Sequence, residues 1–290
     1  MHKRILAALP AAALLLAAAP GAASAADPAA APGADVTVSL TAKAFHLSTT
    51  KVTHSGAVSF AVSTPTVPAD ETVGFLVFKP KKGYTSKQIA GWIRVVSGDG
   101  TTPAQAAATT RKLHAGATFY GGADVGKATP LTAWLTLTPG TYYAIDEASF
   151  SVRTLTISGA ATHTAPKSTA TATMVDGERF RLPSTLPKSG TLLVKNTSDD
   201  LHFLFLEGLK KGSTKAKLAA FLKLAAAGKN PGPPPLTGIA FGTDVLSPGQ
   251  SQLLTYSAPA GPYGGFCWVP DETTGMPHAL MGMWAFSPLK

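Results

Sequence analysis

Gly74-Phe-Leu-Val-Phe78, followed by Lys81-Lys82-Gly83, and His202-Phe-Leu-Phe-Leu206, followed by Lys210-Lys211-Gly212, read as two versions of one apolar strand leading into one basic turn. The segments around them repeat in the same order. Phe45-His-Leu47, Ser55-Gly56 and Val58-Ser-Phe60 correspond to Phe180-Arg-Leu182, Ser189-Gly190 and Leu192-Leu-Val194. Gly122-Ala-Asp124-Val125 corresponds to Gly242-Thr-Asp244-Val245, and Gly140-Thr-Tyr142 to Gly261-Pro-Tyr263. Each match is short, but their common order defines an internal duplication, and two copies of one domain is the economical reading.

The texture of each copy is β. Val, Thr and Phe alternate in short runs, such as Val36, Val38, Leu40 and Val58, Phe60, Val62, between Gly, Pro and Ser clusters. Strands that short at such close spacing predict a sandwich or barrel. A helical insertion is expected after the repeated strand of each copy. In the second, Leu218, Phe221, Leu222 and Ala225 fall at i, i+3, i+4 and i+7, with Ser213 or Thr214 to cap the start and Gly228 to end it. The domains are placed at 35–158 and 169–290, joined by the Ala/Thr/Pro/Ser-rich stretch 159–170.

Residues 1–25 read as an export signal. Lys3 and Arg4 precede an apolar run from Ile5 to Ala19, and Ala23-Ser24-Ala25 offers a small-residue cleavage site. The run is too short to span a bilayer comfortably, and nothing later is long and apolar enough. A secreted, extracellular, monomeric chain is the expectation. The formal charge of +9 is spread in ones and twos, without aromatic-interleaved basic runs, so nucleic acid is excluded as a partner.

The chemistry concentrates near the C-terminus. Gly261-Pro-Tyr-Gly-Gly-Phe-Cys267-Trp-Val-Pro-Asp-Glu-Thr-Thr-Gly-Met-Pro-His278-Ala-Leu-Met-Gly-Met283 holds the chain's only cysteine and three of its five methionines. A single thiol in an exported chain cannot close an internal disulfide, and metal ligation is one special use for it. Thiolate, imidazole and thioether are donors that suit copper and not magnesium or calcium. A second imidazole is available at His202. Met281 and Met283 both stand near the histidine.

The second copy resembles a cupredoxin, the blue-copper Greek-key β-sandwich. The strand Leu193-Val-Lys-Asn196 before His202, the Ala260-Gly-Pro-Tyr263 entry to Cys267 and the loop to His278 carry the resemblance. It implies an all-β fold of two tandem cupredoxin-like Greek-key β-sandwich domains. It also implies one mononuclear copper centre with ligands His202, Cys267, His278 and Met283, one-electron transfer, and a redox partner protein. Phe203 stands where the family often has a hydrogen-bonding Asn or Ser. In the first copy Gly74 replaces the first histidine and Asp146 the cysteine, so that copy is read as metal-free. His46, His54 and His114 are expected on the surface, and Asp271 and Glu272 as solvated loop charges. Copper carriage and a metal-free adhesive or ligand-binding sandwich are the alternatives. No Gly-x-Ser-x-Gly elbow, papain-type cysteine signature or His-x-His cluster is present, so hydrolase and multicopper oxidase chemistry are disfavoured and the chain is read as not an enzyme.

Overall fold

A computed structural model describes residues 33–41, 45–63, 72–98, 100–126 and 130–290. The expected export signal lies outside the described residues. The first half contains β1 (Val36–Leu40), β2 (Phe45–Leu47), β3 (Lys51–Val52), β4 (Ser55–Ser63), β5 (Val73–Pro80), α1 (Ser86–Val96), α2 (Pro103–Gly116), β6 (Ala117–Val125), β7 (Leu131–Leu137), β8 (Gly140–Asp146) and β9 (Val152–Ile157), with β10 (Ala161–His163) in the connection. The second half contains β11 (Ala170–Val175), β12 (Arg179–Arg181), β13 (Ser189–Asn196), β14 (Phe205–Leu209), α3 (Lys215–Ala226), β15 (Leu236–Gly242), β16 (Ser251–Ser257), β17 (Tyr263–Phe266), α4 (His278–Met281) and β18 (Trp284–Phe286). No helix among the described residues is long and apolar enough to cross a membrane.

Strand order makes the duplication physical. One sheet runs β12-β11-β13-β16-β7-β4-β1-β2, the other β18-β17-β14-β15-β6-β5-β8-β9-β3. Read outward from the middle, each sheet lists the same strands of the two copies in the same order. The fold is two tandem β-sandwiches with one strand order. Their edges are fused, with β7 antiparallel to β16 and β6 antiparallel to β15. Each of these pairs joins a strand to its own counterpart, the signature of a two-fold relation. Trp134 faces Leu253, which occupies its equivalent place in the repeat. One apolar cluster continues through both halves, and alternating burial along β1 and β16 feeds it.

The registers correct one alignment. Phe75 pairs with Asp146, and Phe205 with Phe266. Continuing the second register by one residue sets Leu204 opposite Cys267, so Asp146 is the counterpart of Cys267. Val73, and not Gly74, then stands where the second half has His202. The tyrosine match holds in detail: Tyr142 and Tyr263 each donate a hydroxyl to the carbonyl four residues earlier, at Thr138 (3.0 Å) and Pro259 (3.1 Å).

Helix α3 forms as expected, capped by Thr214, with Leu218, Leu222 and Ala225 buried and Gly228 in the left-handed region at φ 65° just beyond it. The first half carries two helices rather than one. Thr85 and Thr102 each close a capping box, with Gln88 and Gln105. The linker is also more ordered than its composition suggests. His163 joins His54 around Asp35, whose Oδ1 lies 2.8 Å from His54 Nε2 and 3.4 Å from His163 Nδ1. Asp35 Oδ2 is held by the Ser59 amide and hydroxyl. His54 therefore belongs to a cluster that pins the linker, a correction to its surface reading.

Gln252 bonds the halves from inside. Its buried side-chain amide accepts the Gly122 N–H at 2.9 Å and donates to the Gly122 carbonyl at 2.8 Å. Gly121 has φ 91°, and a Cβ there would collide with Gln252 Oε1. Gln252→Ala should orphan a buried N–H and a buried C=O together, lowering stability by about 2–5 kcal/mol. Urea unfolding would show this as a lower midpoint, and an unchanged midpoint would exclude the role.

Near the same two-fold axis lie the buried carboxyls of Asp124 and Asp244, with Glu147 beside them. Desolvation, then repulsion from Glu147, pushes Asp124 well above the ordinary carboxylate range. Asp244 is raised by desolvation, Glu147 and Asp124. A carboxyl with a raised folded pKa binds more protons folded than unfolded, so stability falls as pH climbs above about 3.8, the ordinary aspartate value. Asp124→Asn with Asp244→Asn should therefore raise the melting temperature at pH 8 more than at pH 4. An equal change at both pH values would contradict this.

Candidate metal centre

His202 sits three residues ahead of β14, locked to Leu246 by two main-chain hydrogen bonds, Leu246 N to His202 O at 2.7 Å and His202 N to Leu246 O at 3.3 Å. Buried Asn196, at the end of β13, fixes this junction by donating to the carbonyls of Asp200 (2.7 Å) and Leu246 (2.8 Å). Cys267 leaves β17 with its carbonyl accepting the Ala279 N–H at 2.6 Å and its amide donating to Met283 O at 3.3 Å. His278 opens α4. Its amide donates to Val269 O at 3.0 Å, and its carbonyl accepts the Met283 N–H at 2.9 Å. The short helical turn thus folds both ends of the loop back onto Cys267.

Three predicted donors converge. His202 Nδ1 lies 3.0 Å from His278 Nδ1, and Cys267 Sγ lies 3.6 Å from each. The centre of a triangle with those sides is roughly 2.0 Å from every corner, close to the ~2.0–2.3 Å bonds of imidazole and thiolate to a late first-row ion. All three side chains are buried. Of the loop methionines, Met283 is wholly buried whereas Met281 is 41% exposed and Met276 is exposed too. Met283 is joined to the triad's backbone at both Cys267 and His278.

Burial governs the protonation states. Desolvation, then the neighbouring His278, pulls His202 down to about 3, and desolvation pulls His278 down to about 4. Both imidazoles are neutral near pH 7, the form that ligates metals. Desolvation pushes the Cys267 thiol up to about 12, against hydrogen bonds from the Phe203 and Val269 amides. Ligation must therefore displace the thiol proton, and the ion's charge has to replace it. The Phe203 and Val269 amides both reach the sulfur, so the side chain of Phe203 does not need to donate a hydrogen bond to it.

The first half grips the loop. Glu272 Oε1 lies 2.6 Å from His114 Nδ1, and Arg111 donates to the Glu272 carbonyl. Gly275, at φ 70°, presses against the Pro103 carbonyl so closely that a Cβ would overlap it. Asp271 Oδ1 accepts from the Thr273 and Thr274 amides and the Thr274 hydroxyl. Asp271 and Glu272 are therefore structural rather than freely solvated, and His114 is a docking residue. At the equivalent place in the first half, Asp146 is buried and accepts from the Ala148 and Ser149 amides and the Ser149 hydroxyl.

Two residues at the site were not anticipated as participants. Asn196 appeared only as the end of a motif strand. Glu178, on the turn between β11 and β12, places Oε2 3.2 Å from His278 Nδ1. Its approach depends on how two distant hairpins stack, for which a linear sequence has no signal.

No protein-family model matches the sequence, and no curated protein is detectably similar to it. Solved structures similar to parts of the chain include small blue copper proteins and multicopper enzymes. Auracyanin A, described as a "blue" copper protein from Chloroflexus aurantiacus, is 15% identical over 41% of this chain and 96% of its own, with a TM-score of 0.26. An azurin from Methylomonas sp. strain J is 17% identical over 41% and 95%, with a TM-score of 0.26. A laccase from Pediococcus acidilactici is 10% identical over 88% of this chain and 60% of its own, with a TM-score of 0.23.

Proposed function

We propose that this chain is an exported copper protein that carries single electrons through one mononuclear centre formed by His202, Cys267, His278 and Met283. The observation that carries the reading is the buried triangle of two Nδ1 atoms and one sulfur, spaced as donors to a shared ion. Two imidazoles, a thiolate and a weak thioether are the donor set of electron-transfer copper. Bound copper would supply the one-electron couple. The protein's own part is to hold the donors still. Main-chain bonds among Cys267, His278, Ala279 and Met283 fix them in advance, so a change of oxidation state requires little rearrangement. The Phe203 and Val269 amides stabilise negative charge on the sulfur. Buried Leu201, Phe203, Leu204 and Val269 keep water away. Met283 would supply the thioether, since it is buried whereas Met281 lies on the surface.

Residues 35–158 are assigned as a copper-free half that clamps the ligand loop, and 169–290 as the half carrying the centre. Residues 1–25 are assigned as the export signal of a secreted monomer. The cavity beside the site is lined by apolar residues including Leu201, Phe203 and Val269. The test is to titrate the metal-free full chain with Cu(II). One equivalent should bind with an intense visible charge-transfer band and narrow EPR hyperfine splitting. Binding without that band would sink the electron-transfer reading in favour of copper carriage.

A further inference from the structure

The turn that joins β11 to β12 does something its sequence role does not require. Gly177 and Glu178 lie consecutively in the left-handed region, at φ 75° and 53°. Glycine enters that region freely, but glutamate does not, and among the described residues only Phe150 and Glu178 do so without being glycine. A strained backbone that persists must be held by its surroundings, and such strain clusters at functional sites. Here the turn is docked by Asp176, whose Oδ1 accepts the Asp199 N–H at 3.2 Å, just ahead of His202. The effect is to bury a carboxylate against the histidines.

That carboxylate is oddly unsatisfied. Glu178 has a side chain only 16% exposed. Its Oε2 is fully covered yet makes no hydrogen bond, although it stands 3.2 Å from His278 Nδ1. A carboxylate oxygen of Glu178 also lies within 4.8 Å of a ring nitrogen of His202. Both imidazoles turn Nδ1 toward the same point, where the Cys267 sulfur also faces them. Asp200 and Asp271 add negative charge nearby. A buried, unpaired acceptor in negative surroundings is expensive, unless a cation completes it.

We propose that Glu178 is a further oxygen donor to the ion held by His202, Cys267 and His278, giving the centre a carboxylate contact in addition to its imidazoles and thiolate. This deepens the copper reading and rests on it. A hard anionic oxygen favours Cu(II) over Cu(I), so Glu178 lowers the potential and tightens Cu(II) binding. The strained turn is then the means of bringing the oxygen within reach.

The test uses the full chain and two variants. Glu178→Gln keeps shape and strain but removes charge. It should weaken Cu(II) binding at least tenfold by calorimetry, with a rise in potential corresponding to about 59 mV per tenfold for a one-electron couple. Glu178→Gly releases the left-handed strain. It should raise the melting temperature of the metal-free protein while showing the same loss of Cu(II) preference, a combination that a merely structural glutamate would not produce. Unchanged Cu(II) affinity and potential in Glu178→Gln would overturn the proposal, as would a Glu178→Gly variant that changes stability alone. A wild type that binds Cu(II) without the thiolate band would instead overturn the electron-transfer reading. The affinity comparison would still decide the role of Glu178.

Discussion

Cys267→Ser is expected to abolish the intense visible band of the copper-loaded protein while leaving the chain folded. Serine has nearly the same volume, and its hydroxyl can accept the Phe203 and Val269 amides that now reach the sulfur. It cannot supply a polarisable thiolate, so the charge-transfer transition has no donor. Copper affinity should fall by more than the roughly 10–100-fold seen when an outer partner of a ligand is removed. The loop methionines provide an internal control. Met283→Leu keeps the buried volume and should leave the band but raise the potential, because a weak axial donor that favours Cu(II) is gone. Met281→Leu changes a side chain that is 41% exposed and should alter neither. Absorbance and voltammetry on the three variants read all of this. If Met281→Leu moves the potential and Met283→Leu does not, the axial assignment is wrong.

The second large effect concerns the isolated half. Residues 169–290 expressed alone should form a symmetric dimer rather than a monomer. Removing the first half strips β16 and β15 of their partners β7 and β6, leaving two open edges beside a severed apolar core. Because each lost partner is the counterpart of the strand it covered, a second copy of the half can offer β16 to β16 and β15 to β15. Such an arrangement closes in a two-fold manner. Sedimentation should give twice the fragment mass. A stable, well-folded monomer would show that the edges need no cover, and that the halves are independent domains that merely touch.

The duplication could be read from short motifs because its strands are apolar runs at repeated spacing, a local property. The same is true of helix α3, whose stripe and cap lie within a dozen residues of each other. His202, Cys267, His278 and Met283 could be chosen from the sequence because soft donors are rare and theirs fall in a recognisable order. The exact alignment of the copies was not legible. Gly74 and Val73 differ by one place, and only hydrogen-bond register distinguishes them, since a one-residue slip reverses every side chain. The fused sheets were hidden for a related reason. An edge strand that pairs with its own counterpart looks, residue by residue, like any other strand.

What the sequence alone determined is the kind of chemistry available, because donor type is a property of single side chains. What the tertiary structure decided is which charges face that chemistry. Glu272 reaches His114 across 158 positions, and Glu178 reaches His278 across a hundred. The acid beside the imidazole and the clamp on the loop exist only after separate hairpins stack, since burial, and with it the cost of an unpaired carboxylate, is created by packing.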